Sequence, residues 1–382
     1  MIHCTEDAIR LAKRRLPRLI YDFVAGGAGR ETATELNQSA LNDIRLRPRI
    51  LANVENRSLE TGFLGETFGL PFGISPMGMC NLSWPNADRF LARVAVEQRI
   101  PICLSSAAST SIESMARQSE GHAWFQLYVS DDMKSVFKLV DRAREAGYET
   151  LVLTVDVPQV SIRIRDLRNG FTVPFQLGPR QLWDFATHPR WTLATLLNGV
   201  PKPMNYLNED GSSRFNRDAS RARCDWAFLA RLRRYWGGRL VLKGVMDGAD
   251  ARRASEYGVD ALYVSNHGGR QLDSVPPAIL TLPLIRRAVG KNFPLIFDSG
   301  IRNGEDVVRA LALGADYVML GRPLLYALGA EGEAGLKNLV STFTREISVV
   351  MAQLGLTRIS QINNQALAPV QIGACNQMLA EV

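Results

Sequence analysis

Residues 294–323 read PLIFDSGIRNGEDVVRALALGADYVMLGRP. Two short apolar runs, PLIFD and YVMLG, flank a stretch, IRNGEDVVRALALG, whose apolar residues recur at helical spacing. A continuous apolar run of that length is the mark of a parallel strand covered on both faces. The segment therefore reads as a strand–helix–strand unit. The same unit recurs upstream: LPFGIS (70–75), PICLS (101–105), AWFQLY (123–128), LVLTVD (151–156), RLVLK (239–243) and ALYVS (261–265) complete a set of eight strands. Amphipathic segments lie between them, clearest in MKSVFKLVDRAREAGY (133–148), and a further helix is expected over 333–355. Eight strands alternating with helices predict a (β/α)8 TIM barrel. A doubly wound open sheet is the alternative, but no G-x-G-x-x-G opens the first unit.

One interval breaks the rhythm. LVLTVD starts at 151 and RLVLK at 239, so a long insertion, about 170–225, separates strands four and five. It mixes Trp, Leu, Pro, Arg and Lys. It reads either as a surface lid or as a membrane- or partner-binding segment.

In a barrel of this kind the chemistry sits at the carboxyl ends of the strands. Polar residues gather at those ends: Gln126 and Tyr128, Thr154 and Asp156, Lys243, His267 and Arg270, Asp298, and Gly321 with Arg322. Charge at a strand end is costly unless paired, so this many at one rim predict a site. DSGIRNG (298–304) and LGRP (320–323) supply glycine N–H groups and arginines where barrels bind phosphate. His267, in SNHGGRQLD (265–273), reads as a general base with Asp156 as its orienter, or as a loop histidine satisfied by backbone. Arg270 suits a two-pronged clamp on a carboxylate. No second histidine is placed to complete a metal cluster, so no metal is expected. The residues thus point to a phosphate-bearing cofactor, a small anionic substrate and an acid–base residue.

Whole-chain properties narrow the class. The formal charge is +7 over 382 residues, with basic residues scattered, so no nucleic-acid partner is expected. The five cysteines, Cys4, Cys80, Cys103, Cys224 and Cys375, are odd in number and unpaired in spacing, as in a reducing compartment. The charged N-terminal stretch lacks a signal-peptide core, and no run is long enough to span a membrane. A cytoplasmic protein is expected.

From LPRLIYDFVAGGA (16–28) to about Gly355 the chain closely resembles the FMN-dependent 2-hydroxy acid oxidases and dehydrogenases. FQLY, LTVDVP, VLKG, SNHGGRQLD, DSGIRNG and GRP occur in that family's order. The resemblance implies one FMN-binding hydroxy acid dehydrogenase domain over 1–382, a homotetramer, and oxidation of an L-2-hydroxy acid to its 2-oxo acid. Tyr21 and Arg270 would hold the substrate carboxylate. His267 would take the proton, with Asp156 behind it, and Tyr128 and Arg163 would face the substrate oxygens. Lys243 would lie by flavin N1. Pro76, Met77, Gly78, Ser105, Gln126, Thr154 and Ser265 would line the flavin. Asp298 would reach its ribityl chain, Gly300 would also contact the cofactor, and Arg302, Gly321 and Arg322 would bind its phosphate.

Three departures bear on this. Ser161 stands where the family has glycine. Met77 stands beside the flavin where a small residue is usual. Gly78, alanine in oxygen-using oxidases, favours a dehydrogenase passing electrons to a quinone or other carrier, with an oxygen-using oxidase as the alternative. The insertion resembles the loop of membrane-associated members, implying peripheral contact through residues about 177–210 at the cytoplasmic face of the inner membrane. Met79, Ala107 and Val160 are expected to shape the side-chain pocket, which admits lactate, glycolate or mandelate.

Overall fold

The computed structural model describes residues 2–172, 175, 178–207, 210 and 220–369. Cys375 lies outside them. Three helices lead the chain: α1 (Thr5–Arg15), α2 (Arg18–Ala25) and α3 (Thr32–Asp43). A hairpin follows, β1 (Thr61–Phe63) paired antiparallel with β2 (Glu66–Phe68). Then come the barrel strands β3 (Phe72–Met77), β4 (Ile102–Ser105), β5 (Ala123–Leu127), β6 (Thr150–Thr154), β7 (Arg239–Val245), β8 (Ala261–Val264), β9 (Leu295–Phe297) and β10 (Tyr317–Leu320). They pair in parallel in chain order, and β10 closes on β3. The eight strands read from the sequence are the eight barrel strands. The insertion falls between β6 and β7, which are the fourth and fifth strands of the barrel. The hairpin ahead of them shifts the count by two.

Between β3 and β7 run α4 (Ala87–Gln98), α5 (Ile112–Ser119), α6 (Met133–Glu145), α7 (Ile164–Asn169), α8 (Pro179–Ala186), α9 (Pro189–Asn198) and α10 (Trp226–Tyr235). After β7 come α11 (Gly248–Glu256), α12 (Ala278–Val289), α13 (Gly304–Ala312) and α14 (Arg322–Gln353). Side-chain oxygens cap several of these helices: Asp132 for α6, Asp247 for α11 and Asn303 for α13 each accept from first-turn N–H groups. α14 is broken at Glu331–Gly332, where Gly332 has φ 61°. The helix expected over 333–355 is its second half.

Alternation along the strands sorts the core in two. Leu151, Leu153, Leu240 and Leu242 point outward beneath the helices. Cys103, Trp124, Val152, Val241, Tyr263, Ile296 and Met319 fill the barrel. The hairpin plugs its amino-terminal end. Phe63 and Phe68 lie 5.3 Å from the Tyr317 ring, and Arg239 Nη1 donates to the Leu64 carbonyl at 2.9 Å. The other end stays open.

Candidate active site

The barrel's interior layer places the site. Two residues beyond Cys103, Trp124, Val152, Val241, Tyr263, Ile296 and Met319 stand Ser105, Gln126, Thr154, Lys243, Ser265, Asp298 and Gly321. The period of two keeps them on the inner face at the carboxyl rim. Strand register then sets neighbours: Ser105 opposite Gln126, and Thr154 opposite Lys243.

A cavity of about 230 Å³ opens above this layer. Among its lining residues are Pro76 and Met77 from β3, Gly78 just after it, Tyr128 after β5, Arg163 after β6, and His267 and Arg270 after β8. Asp298, Gly300, Arg302, Gly321 and Arg322 line it from the last two units.

Three successive left-handed residues turn the SNHGGR loop: His267 (φ 57°), Gly268 (φ 65°) and Gly269 (φ 74°). Glycine suits that conformation, whereas a histidine there is strained and held by its contacts. Ser265 Oγ accepts from the His267 N–H at 3.0 Å, and both Asp156 carboxylate oxygens lie 3.1 Å from His267 Nδ1. Burial pushes the His267 imidazole below its ordinary value, as do Lys243 and Arg163, while Asp156 pulls it up; the net is downward. Burial pushes the Asp156 carboxyl up, but His267 and Lys243 outweigh it, and the net is again downward. Both shifts favour a neutral imidazole backed by an ionised carboxylate.

Lys243 is buried. Its Nζ donates to Ser265 Oγ at 2.8 Å and lies 3.6 Å from Asp298 Oδ2. Asp298 also accepts from the Tyr263 hydroxyl at 2.7 Å and from Ser299 Oγ at 2.9 Å. Ser105 Oγ donates to Gln126 Oε1 at 2.9 Å. That leaves Gln126 Nε2 buried without a partner, as are Thr154 Oγ1 and Arg302 Nε. Orphaned buried polar atoms call for a ligand. Two of these sit at the strand ends under the cavity, and the third sits where the sequence places a phosphate. The donor set therefore fits a polar ring system with a phosphate tail.

The arginines are braced by α2. Arg270 donates to the carbonyls of Gly26 (2.6 Å), Phe23 (2.9 Å) and Val24 (3.2 Å). Arg322 donates to those of Gly268 (2.7 Å), Gly26 (2.9 Å) and Val24 (3.2 Å), and burial pushes it down to about 10. Tyr128 is half-buried, and its desolvation pushes the hydroxyl up, with the Asp156 charge adding to the effect. Ser161, where glycine was expected, puts its hydroxyl to use: Oγ donates to the Arg270 carbonyl, tying the loop after β6 to the SNHGGR loop.

Tyr21 is not among the residues that line this cavity. It packs on Tyr326 with ring centroids 6.2 Å apart, and burial raises its hydroxyl to about 12. Phe23, two residues further along α2, lines the cavity. Asp156, Gln126, Thr154 and Ser265 lie behind the lining rather than in it. Sequence reasoning missed Phe23, Phe171 and Arg221, which all reach the cavity. No local pattern marks Arg221, which returns at the far end of the insertion.

A family model described as FMN-dependent dehydrogenase matches residues 12–369. The chain is 42% identical to an L-lactate dehydrogenase of Pseudomonas syringae pv. syringae over 378 residues, covering 96% of this chain and 98% of that one. It is 38% identical to an (S)-mandelate dehydrogenase of Pseudomonas putida over 364 residues, covering 94% and 92%. The crystal structure of the monotopic membrane protein (S)-mandelate dehydrogenase superposes with a TM-score of 0.92 at 37% identity, covering 96% of this chain and 99% of that one.

Proposed function

The chain belongs to the FMN-dependent dehydrogenase family, and on that premise we propose a complete reading of its chemistry. It oxidises an L-2-hydroxy acid to the 2-oxo acid with FMN as cofactor. The single observation that carries this is a neutral-favouring His267, backed by Asp156 at 3.1 Å, in one cavity with Arg163 and Arg270.

Bound FMN supplies a two-electron acceptor in this cavity. Arg302 and Arg322, with the glycine turns at Gly300 and Gly321, would hold its phosphate. Ser105, Gln126, Thr154 and Lys243 would meet its ring, with Pro76, Met77 and Gly78 against one edge. Asp298 would face its ribityl chain, and Ser265 would steady Lys243.

Arg270 and Arg163 hold the substrate carboxylate, and the α2 carbonyls fix the plane of the Arg270 guanidinium. Tyr128 hydrogen-bonds a substrate oxygen and, with its hydroxyl held far from ionising, stays a donor. His267 takes a proton from the substrate through Nε2 while Asp156, at Nδ1, stabilises the resulting imidazolium. Lys243 would set fixed positive charge beside the flavin ring. Tyr21, also on α2, would add its hydroxyl to the carboxylate clamp, and Phe23 contributes an apolar wall from the same helix.

We read the electron acceptor as a quinone-type carrier reached at a membrane surface. Among the described residues no helix is long and apolar enough to cross a membrane. Instead α8, α9 and the segment after them expose Leu182, Trp183, Leu193, Leu196, Leu197 and Val200. A patch of that kind supports peripheral, one-leaflet contact. The chain is further read as one domain that assembles as a homotetramer, which sedimentation velocity would test.

The deciding experiment mixes the FMN-loaded enzyme anaerobically with a panel of L-2-hydroxy acids. Bleaching of the flavin by at least one acid is expected, followed by faster reoxidation with a soluble quinone than with oxygen. No bleaching by any acid would overturn the activity, and fast oxygen reoxidation would turn the dehydrogenase into an oxidase.

A further inference from the structure

Tyr263 sits in the barrel's interior layer among Cys103, Val241, Ile296 and Met319, and it is fully buried. An apolar side chain would fill that space as well. A phenol there must find a partner for its hydroxyl, and this one reaches past its own strand to two others. Its Oη lies 2.9 Å from Ser75 Oγ on β3 and donates to Asp298 Oδ2, just after β9, at 2.7 Å. Ser75 and Asp298 line the cavity, and so does Lys243 on β7. Tyr263 lies behind all three.

The phenol has one proton, and the short contact to the carboxylate takes it. Burial, with the Asp298 charge, holds the hydroxyl well above its ordinary value, so it remains a donor. Asp298 Oδ2 is thus bonded from beneath, with Ser75 Oγ a weaker contact at 3.3 Å, and Ser299 Oγ holds the other oxygen. The Lys243 ammonium, 3.6 Å from Oδ2, stays outside hydrogen-bond reach of it. It donates to Ser265 Oγ at 2.8 Å and rests over the face of the same Tyr263 ring, 4.7 Å from the centroid. One side chain therefore touches both members of the ion pair. Its hydroxyl satisfies the carboxylate and its ring supports the ammonium.

We propose that Tyr263 is a positioning residue that keeps Lys243 off Asp298 and available to the cofactor, and so raises the reduction potential of bound FMN. The proposal rests on the cofactor site read above. Positive charge beside a ring that accepts electrons favours the reduced ring. Without the phenol hydroxyl, Oδ2 loses its closest donor in a buried setting, where an unmatched carboxylate is costly. Ser75 has a single proton to offer. The ammonium brings charge as well, and closes from 3.6 Å to the roughly 2.8 Å of a charged N–H···O pair. That movement draws positive charge toward Asp298 and lowers the potential at the ring.

The test is the reduction potential of the FMN-loaded enzyme, read spectroscopically against a reference dye during stepwise anaerobic reduction. Tyr263→Phe is expected to lower the two-electron reduction equilibrium constant about tenfold, or about 30 mV, with FMN still bound. Ser75→Ala removes the weaker contact, lowers the constant less, and carries the same test if Tyr263→Phe does not hold flavin. In Asp298→Asn the neutral amide no longer draws the ammonium, so adding Tyr263→Phe changes nothing further. A potential that is unmoved or rises in the loaded variants overturns the proposal, as does an undiminished fall in the Asp298→Asn background. A melting temperature that drops while the potential holds would mark the phenol as a packing residue only and overturn it too. Failure of every hydroxy acid to bleach the flavin would sink the activity alone, because the potential is read without substrate. A wild-type chain that binds no FMN would sink both.

Discussion

Replacing Asp156 by Asn keeps the shape of the His267 partner and removes its charge. Both carboxylate oxygens lie 3.1 Å from Nδ1. With charge centres about 4 Å apart and an effective dielectric of about 20, the carboxylate steadies a full imidazolium by about 4 kcal/mol. Roughly half of that charge is developed when the proton is in flight, so about 2 kcal/mol is lost, or about 30-fold in kcat/KM. The pH profile must move as well. Burial already holds the imidazole below its usual value, and Asp156 opposes that shift. Without the carboxylate the imidazole drops further, so the acid limb of kcat/KM moves to lower pH as the plateau falls. The assay is anaerobic dye-coupled turnover across pH, with primary substrate deuteration to confirm that hydrogen removal limits the rate. A limb that stays put or moves to higher pH would refute the assigned roles, as would a plateau loss below about threefold.

Three further outcomes follow from the geometry. A Cβ at Gly78 would sit 3.6 Å from the Ala107 Cβ, an ordinary contact, whereas one at Gly269 would sit 2.6 Å from the Thr34 nitrogen with φ at 74°. Gly78→Ala should therefore melt within about 0.5 kcal/mol of wild type, while Gly269→Ala loses about 2–3 kcal/mol or fails to retain flavin, as read by thermal melts and flavin release. Arg302→Met removes a charge-assisted phosphate contact and should weaken FMN binding by about 10- to 100-fold, measured by flavin fluorescence on reconstitution. Aspartate at both Trp183 and Leu197, which are 73% and 86% exposed, should cut cosedimentation with anionic lipid vesicles by at least about tenfold without altering turnover of a water-soluble acceptor.

The barrel was legible because its strands are fully buried, and burial on both faces writes itself as unbroken apolar runs. The rim was legible for a related reason: polar residues stand two positions past interior ones, as Thr154 follows Val152 and Lys243 follows Val241. The hairpin was not, since three-residue strands leave too short a pattern to count. That Phe23 lines the cavity depends on the phase of one eight-residue helix, and a chain of plausible residue types does not reveal that phase. Arg221 was hidden for a different reason. It reaches the cavity only because a long irregular excursion folds back onto Pro158, and nothing periodic encodes that return.

The aromatic plug formed by Phe63 and Phe68 has a kinetic consequence. With that end packed by aromatic rings, the site is built at the opposite, carboxyl end of the strands. We expect fuel and oxidant to approach from that same end, so that each would hinder the other's entry and a large excess of the acid would slow turnover.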